Sequence, residues 1–205
     1  MKIIEDKSQW IHFSQNAICK KILQMIGWKL HFDGVPGTHG IFIVYPHTSN
    51  MDFFIGIVAK WAMGIPVNFL AKDSLFKIPL VGGWLRYLGG RPVIRSSPQG
   101  YVSELASEMQ SSQYFWLVIT PEGTRKKTPG WRSGFYRLAH LTGYPIGFAF
   151  IDYAKKEIGV TRFAILDGDE QSDMEFIQNE YFGKQGRFPE SMAPIQLWKP
   201  ENRKV

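Results

Sequence analysis

The chain has 205 residues, of which 44% are hydrophobic and 20% are charged. This composition supplies enough apolar surface for one folded domain and excludes a disordered or fibrous chain. A single cysteine, Cys19, excludes a disulfide framework and a multi-cysteine zinc site. The formal net charge of +6 favours an anionic partner and leaves phosphate groups, a membrane surface and nucleic acid open.

Apolar residues recur at helical spacing over residues 8–30. The pattern predicts an amphipathic helix that begins with Ser8 as its cap. Two interpretations stay open: a helix that lies among lipids with its lysines at the head groups, and a helix that packs on the core. We therefore predict a helical extension over residues 1–30, followed by one domain over residues 31–205.

The rest of the chain alternates short apolar runs with helical patterns. The apolar runs predict strands at residues 41–45, 67–71, 91–95, 114–120, 145–152 and 159–166. The helical patterns predict helices at residues 52–63, 98–110, 132–141 and 172–181. Because strands that alternate with helices form parallel sheets covered on both faces, we predict an α/β domain with a mostly parallel central sheet flanked by helices.

The sequence predicts neither a targeting signal nor a membrane span. The longest apolar-looking stretch, residues 53–71, contains Lys60 and Asn68 and is interrupted by Gly64 and Pro66. A spanning helix needs about 20 predominantly apolar residues. We therefore expect a cytoplasmic protein or one held on the surface of a membrane.

His47 and Asp52 lie where the strand over residues 41–45 ends and a helix begins. In open α/β sheets, ligands bind at such junctions. A histidine that folds back over the first helical turn can contact the carboxylate, which fixes its tautomer and leaves the other ring nitrogen to take a proton from a hydroxyl. The alternative is that Ser49 and Asp52 form a capping box and that His47 is an ordinary loop residue.

Paired glycines precede two arginines in the next segment. Gly89 and Gly90 allow the backbone to approach a ligand closely. Arg91 and Arg95 project from the same side of a strand, where their guanidinium groups suit a phosphate. The alternative is an edge strand whose arginines are solvated.

Residues 120–125 read Thr-Pro-Glu-Gly-Thr-Arg and follow another predicted strand. They should therefore line the same edge of the sheet as His47. An acid, a flexible glycine, a hydroxyl and an arginine come together here, and more basic residues follow. The alternative is an ordinary surface turn, for which Pro-Glu-Gly-Thr is also suitable.

The order of these segments resembles the glycerolipid acyltransferase family, which includes the bacterial 1-acylglycerol-3-phosphate acyltransferases. The likeness covers about residues 42–150 and consists of His-x-x-x-x-Asp, Gly-Gly with a downstream arginine, Pro-Glu-Gly-Thr-Arg, and a strand that begins Tyr-Pro-Ile. Two positions depart from the family pattern: Pro46 stands where asparagine often precedes the histidine, and Ile94 stands where aspartate is frequent. These departures put the acceptor preference in doubt.

The resemblance implies a role for each matching residue. His47 would be the general base on a lysolipid hydroxyl, with Asp52 orienting it. Arg95, Lys72 and Arg91 would bind the acceptor phosphate. The glycerol and phosphate moiety would be positioned by Glu122, Gly123, Thr124 and Arg125.

The resemblance also implies substrates and surroundings. The donor would be an acyl thioester on coenzyme A or acyl carrier protein, and the acceptor a lysophospholipid at a membrane lipid surface, on its cytoplasmic side. No metal, cofactor or covalent acyl-enzyme would be needed. Nucleic acid is not an expected partner, because the basic residues cluster around the predicted phosphate site. The alternatives are a transacylase that takes its acyl group from an intact phospholipid and a non-catalytic lipid-binding module.

Overall fold

Eight strands form one sheet in the computed structural model, which describes residues 1–93 and 98–198. In chain order they are β1 (Lys2–Ile3), β2 (Lys29–His31), β3 (His39–Tyr45), β4 (Asn68–Lys72), β5 (Gly90–Val93), β6 (Phe115–Ile119), β7 (Ile146–Asp152) and β8 (Glu157–Ile165). The central strands run parallel in the order β5-β4-β6-β3-β7. Strand β8 is antiparallel to β7 and also pairs with β1 and β2. The predicted α/β class with a mostly parallel sheet is confirmed.

Helices cover both faces of this sheet. Within the described residues they are α1 (Ala17–Met25), α2 (Met51–Met63), α3 (Asp73–Phe76), α4 (Val81–Tyr87), α5 (Pro98–Ser111), α6 (Gly134–Thr142) and α7 (Glu170–Glu180). Along β3, Ile41 and Ile43 join the core beneath α5, α6 and α7, whereas Phe42 joins the core beneath α1 and α2. Successive residues of a strand point to opposite faces, so a sheet buried on both sides requires the nearly continuous apolar runs of this sequence.

The helix predicted over residues 8–30 is wrong in extent, because only α1 forms there. Asn16, rather than Ser8, caps the helix, and its side chain accepts a backbone N–H of the first turn at 3.1 Å. Upstream, Ile11 and Val35 exchange backbone hydrogen bonds of 2.8 and 3.1 Å, which an extended segment makes and a helix does not. Through β1 and β2, this N-terminal part belongs to the same sheet as the rest of the chain.

The other predicted elements are confirmed, and their described ends lie within two residues of the predicted ones. The strand predicted over residues 91–95 corresponds to β5 as far as Val93, and Ile94 and Arg95 lie outside the described residues. Helices α3 and α4 were not predicted, because Pro79 and the pair Gly82–Gly83 interrupt the apolar pattern of that segment.

Candidate active site

Parallel strands bring the predicted site segments to one edge of the sheet. His47 follows β3, Lys72 ends β4, and residues 120–125 begin just after β6. Because the strands are parallel, their carboxyl ends meet at this edge, which we call the carboxyl edge. In open α/β sheets ligands bind at this position.

The imidazole of His47 contacts the carboxylate of Asp52, with 3.1 Å between Nδ1 and Oδ2. The histidine lies in the loop before α2, and the aspartate lies in the first turn of that helix. The same Oδ2 accepts the backbone N–H groups of Thr48 and Ser49, each at 2.9 Å. One carboxylate therefore binds the backbone at the start of α2 and also contacts the imidazole. The predicted capping box is incomplete, because the Ser49 hydroxyl accepts the Met51 N–H at 3.1 Å rather than that of Asp52.

Asp52 is anionic at neutral pH although it is only 2% exposed. Burial by itself raises its pKa, but hydrogen bonds from His47, from the Tyr153 hydroxyl and from the Ser49 N–H outweigh burial and hold the pKa below its usual value. In the neutral imidazole, this contact favours the tautomer that carries its proton on Nδ1 and its lone pair on Nε2. The His47 side chain is 14% exposed, which leaves the ring accessible from solvent.

Tyr153 is a site residue that the sequence analysis missed. It directly follows β7, and its hydroxyl donates to Oδ1 of Asp52 at 2.7 Å. Its ring packs edge-on against Trp28, with 5.0 Å between the centroids. Burial and the charge of Asp52 raise the pKa of the phenol, so it remains a donor. The sequence did contain a signal for this residue, because Tyr153 comes immediately after a predicted strand, where site residues of a parallel sheet are expected.

Glu122 is buried, with 1% exposure, and both of its carboxylate oxygens accept backbone N–H groups. Oε2 accepts from His47 at 2.7 Å, and Oε1 accepts from Ala193 at 3.1 Å. Burial raises the pKa of this carboxyl to about 7, although the two N–H groups act in the opposite direction. The side chain thus fixes the backbone of His47 and joins it to the C-terminal part of the described chain.

The turn after β6 presents polar groups to solvent. Gly123 has φ of +65°, a conformation that favours glycine, and its N–H donates to the Thr120 carbonyl at 3.0 Å. The Thr124 hydroxyl accepts the Lys126 N–H at 3.3 Å. Thr124 and Arg125 are both exposed, so a ligand at the carboxyl edge can reach them.

Arg91 lies in β5, beside Leu70 of β4, and its side chain is bound by other groups of this chain. Its Nε donates to Oδ1 of Asn68 at 3.1 Å, and its guanidinium forms an ion pair with Glu108 on α5. The guanidinium also lies 4.7 Å from the ring centroid of Phe115, the first residue of β6. These contacts hold the guanidinium of Arg91 against Asn68, α5 and Phe115.

Two further cations lie at the carboxyl edge, and the sequence analysis did not identify one of them. Lys72 is exposed at the end of β4, whereas Arg95 falls outside the described residues. Arg187 is exposed beside Phe188, whose backbone N–H donates to Oγ1 of Thr48 at 3.1 Å. This bond places the C-terminal segment against the loop that carries the histidine, and no signal in the sequence connects the two.

The described part of the chain, residues 1–93 and 98–198, contains no group of three or more histidine, cysteine, aspartate or glutamate side chains arranged to hold a metal ion. None of its helices combines the length and the apolar character needed to cross a membrane.

Comparison with known proteins identifies the family. The model of the acyltransferase family matches residues 29–147, which is more than half of the chain. This chain belongs to the acyltransferase family. The match contains His47, Asp52 and residues 120–125, and the resemblance drawn from these motifs is confirmed.

Two plant acyltransferases are similar to this chain. The chloroplast 1-acyl-sn-glycerol-3-phosphate acyltransferase of Brassica napus is 29% identical over 108 residues, which are 49% of this chain and 30% of that protein. The chloroplast enzyme of the same name from Arabidopsis thaliana is 25% identical over 127 residues, 58% of this chain and 35% of that protein. The chain thus spans about a third of the length of these relatives.

A solved structure shares the fold. The crystal structure of the 1-acyl-sn-glycerophosphate acyltransferase of Thermotoga maritima superposes with a TM-score of 0.52 and 18% identity. The superposition covers 79% of this chain and 73% of that one. The architecture seen here is therefore that of a known acyltransferase.

Proposed function

We propose that this chain transfers a fatty acyl group from an acyl thioester to the hydroxyl of a lysophospholipid such as 1-acylglycerol-3-phosphate. The observation that carries the proposal is the contact of 3.1 Å between His47 and the buried, anionic Asp52 at the carboxyl edge. A histidine held in this way can serve as a general base on a hydroxyl. Membership of the acyltransferase family and the similarity to two plant enzymes that carry this activity in their names support the choice of reaction.

In the proposed reaction, Nε2 of His47 removes the proton of the acceptor hydroxyl as the oxygen attacks the thioester carbonyl. Nδ1 keeps its proton against Asp52, whose charge stabilises the imidazolium that forms. The tetrahedral intermediate then collapses, the carbon–sulfur bond breaks, and the imidazolium returns the proton to the leaving thiolate. General base catalysis contributes a factor of about 10² to 10⁴. The scheme needs no metal, no cofactor and no covalent acyl-enzyme.

We assign the acceptor phosphate to cations of the carboxyl edge. Arg125 and Lys72 are exposed there, and a guanidinium binds two phosphate oxygens at once. The family motif by itself adds Arg95 and Arg91 to the residues that we assign to the phosphate. Gly123 and Thr124 supply an open turn and a hydroxyl for the glycerol moiety.

We also propose that the protein works as a peripheral protein on the cytoplasmic face of a membrane, with coenzyme A or acyl carrier protein as the acyl carrier. Helix α1 supports this location, because Leu23 is buried against the core while other apolar side chains of the helix are exposed. The exposed ones are Ile18, Ile22 and Met25. One face of the helix thus packs on the domain, and the other is free for lipid.

The test is thiol release from acyl-coenzyme A and from acyl carrier protein thioesters, with detergent-dispersed lysophosphatidic acid as the acceptor. We expect acceptor-dependent release in the wild type and a loss of about 10² to 10⁴ in His47→Ala. The control is His140→Ala, an exposed histidine on α6, which should retain wild-type release.

Three other results would contradict the proposal. No thiol release with either donor and several lysophospholipids would refute acyl-thioester transfer. Acyl transfer from an intact phospholipid without any thioester would identify a transacylase. Liposome binding that survives His47→Ala, without turnover of any donor, would identify a lipid-binding module.

A further inference from the structure

The segment between β4 and β5 exposes a row of large apolar side chains. It consists of α3, α4 and the residues that join them, and we call residues 75–87 the α3–α4 surface. Leu80 is 91% exposed and Tyr87 is 84% exposed. The other exposed apolar residues of this surface are Leu75, Ile78, Val81 and Trp84. Contiguous apolar patches of this kind mark sites of protein or membrane interaction.

Packing beneath the surface holds these side chains outward. Phe76 and Leu85 are buried under it. Gly82 lies so close to Phe76 that a Cβ would come within 2.2 Å of the Phe76 carbonyl oxygen. Leu80 has φ of +65°, which a side chain of its size rarely adopts. Because the Leu80 side chain is exposed, packing within the chain does not compensate for this backbone strain. Contacts of Leu80 with a partner outside the chain would compensate for it.

The charges of the segment suit an anionic lipid surface. Residues 74–87 contain the exposed cations Lys77 and Arg86 and no acidic residue; Lys77 also lies 3.6 Å from Asp73. Cations beside an apolar protrusion bind anionic head groups while the apolar side chains enter the bilayer. A second copy of this chain would bring the same cations and the same net charge of +6, so a bilayer is the better partner.

The apolar surface continues to the helix that carries Asp52. The ring of Trp84 lies 6.0 Å from that of Phe53, which in turn lies 5.7 Å from the exposed ring of Phe54. Both phenylalanines directly follow Asp52 in α2. A lipid bound at the α3–α4 surface therefore lies beside the edge of the sheet where His47 is located.

We propose that the α3–α4 surface inserts into the head-group region of an anionic lipid bilayer and brings a membrane-borne acceptor to His47. The delivery of an acceptor rests on the proposed function, whereas the insertion does not.

A fluorescent label measures the insertion directly, because the chain has a single cysteine, Cys19. In a Cys19→Ser background, Leu80→Cys and Leu141→Cys are each labelled with an environment-sensitive nitrobenzoxadiazole group. Leu141 is the matched control, because it is 54% exposed on α6, which packs on the other face of the sheet.

With vesicles of phosphatidylcholine and phosphatidylglycerol, the emission of the Leu80→Cys label should shift to the blue and be quenched by doxyl lipids. The Leu141→Cys label should not change. A Leu80→Cys label that stays in water while the protein floats with the vesicles overturns the proposal. A blue shift without vesicles, together with a doubled mass in light scattering, overturns it in favour of self-association.

Charged substitutions test whether the surface supplies the affinity. Leu80→Asp combined with Tyr87→Asp should weaken vesicle binding by about tenfold or more, since each apolar side chain would lose its burial in lipid. Aspartate tolerates a positive φ better than leucine, so the variant should fold. Leu141→Asp is the control. Unchanged flotation of the double variant, or equal wild-type binding to pure phosphatidylcholine, contradicts the proposal.

Activity separates this inference from the proposed function. The double variant should lose transfer to lysophosphatidic acid in vesicles and retain it with detergent-dispersed acceptor. Full transfer in vesicles refutes the delivery. A wild type whose label inserts but which transfers no acyl group refutes the proposed function and leaves the insertion standing.

Discussion

The hydroxyl of Tyr153 donates to Oδ1 of Asp52 at 2.7 Å, across 101 positions of the sequence. Asp52 therefore holds two side chains at once, the phenol on Oδ1 and the His47 imidazole on Oδ2. The bond from Tyr153 favours the ionised carboxylate. The tyrosine is thus a positioning residue, since it acts on the proposed base through the aspartate.

Replacing Tyr153 with phenylalanine removes this bond alone. The pKa of Asp52 should rise, the carboxylate should hold the imidazole less firmly in position, and kcat should fall about 10- to 100-fold, the equivalent of one hydrogen bond to a charged group. The acid limb of the pH–rate profile should move to higher pH, and the acceptor KM should stay unchanged. The control is Tyr114→Phe, just before β6 at the opposite edge. An unaltered pH profile in Tyr153→Phe would remove the tyrosine from the site.

Asp52→Asn tests the role of the carboxylate charge. The amide oxygen can still accept the Thr48 and Ser49 N–H groups, so we expect α2 to remain folded. The neutral amide does not stabilise an imidazolium, and kcat should fall by about 10² to 10⁴. Steady-state thiol release and circular dichroism give the two readouts, with the exposed Asp33→Asn as the control. A variant that retains most of its activity would refute the His47–Asp52 base.

Glu122→Gln tests a pH dependence of stability. The folded pKa of Glu122 is about 7, above its usual value of 4.5, so the folded state binds the proton more tightly. The bound proton stabilises the folded state by about 3 kcal/mol of unfolding free energy. This stabilisation is fully present below pH 4.5 and is lost as the pH rises through about 7. Glutamine does not titrate.

Urea unfolding of the wild type and of Glu122→Gln at several pH values measures this difference. Relative to the variant, the wild type should lose stability between pH 4.5 and 7. Parallel stability profiles would show that the carboxyl does not titrate in this range.

Gly186→Ala tests the packing of the C-terminal segment on the histidine loop. A Cβ at Gly186 would lie 2.6 Å from Oγ1 of Thr48 and 3.2 Å from Cβ of Pro46. The loop must shift, and we expect a lower kcat and a destabilisation of about 1–3 kcal/mol. The control is Gly134→Ala, where no heavy atom lies within 4 Å of the added carbon. Equal melting temperatures and equal rates for the two variants would refute this constraint.

Arg125→Ala tests the assignment of the acceptor phosphate. Loss of a charged hydrogen-bond donor should raise the acceptor KM about 10- to 100-fold, with a smaller change in kcat. Arg162→Ala removes an equally charged side chain from β8, where it pairs with Glu180, and should leave KM unchanged. The measurement is the acceptor dependence of thiol release. An unchanged KM in Arg125→Ala would exclude this residue from the phosphate site.

The local sequence pattern was sufficient to predict one half of the site, the contact between His47 and Asp52. His47 and Asp52 lie within one strand-to-helix junction, so their contact depends on a single chain reversal. The contact between Glu122 and the backbone of His47 spans 75 positions. It forms because β3 and β6 are parallel neighbours, and the spacing of residues along a chain does not specify which strands become neighbours.

The N-terminal region shows the same limit. The apolar spacing over residues 8–30 fits a helix, yet Ile11 is extended because its backbone pairs with Val35. A tertiary contact outweighed the local periodicity there. Arg91 and Arg95 share a strand pattern, but the partner that Arg91 takes on α5 could not be inferred from that pattern.

The α/β class, the order of most elements and the local motifs follow from the amino-acid sequence, because they depend on periodicity and on residues a few positions apart. Three features appear only in the folded chain: the bond from Tyr153 to Asp52, the bond from the His47 N–H to the buried Glu122, and the exposed apolar side chains of α3 and α4. Burial and hydrogen-bond partners depend on which strands and helices meet, and sequence spacing does not specify this. The pairing of β3 with β6 and β7 made those contacts between residues far apart in the chain.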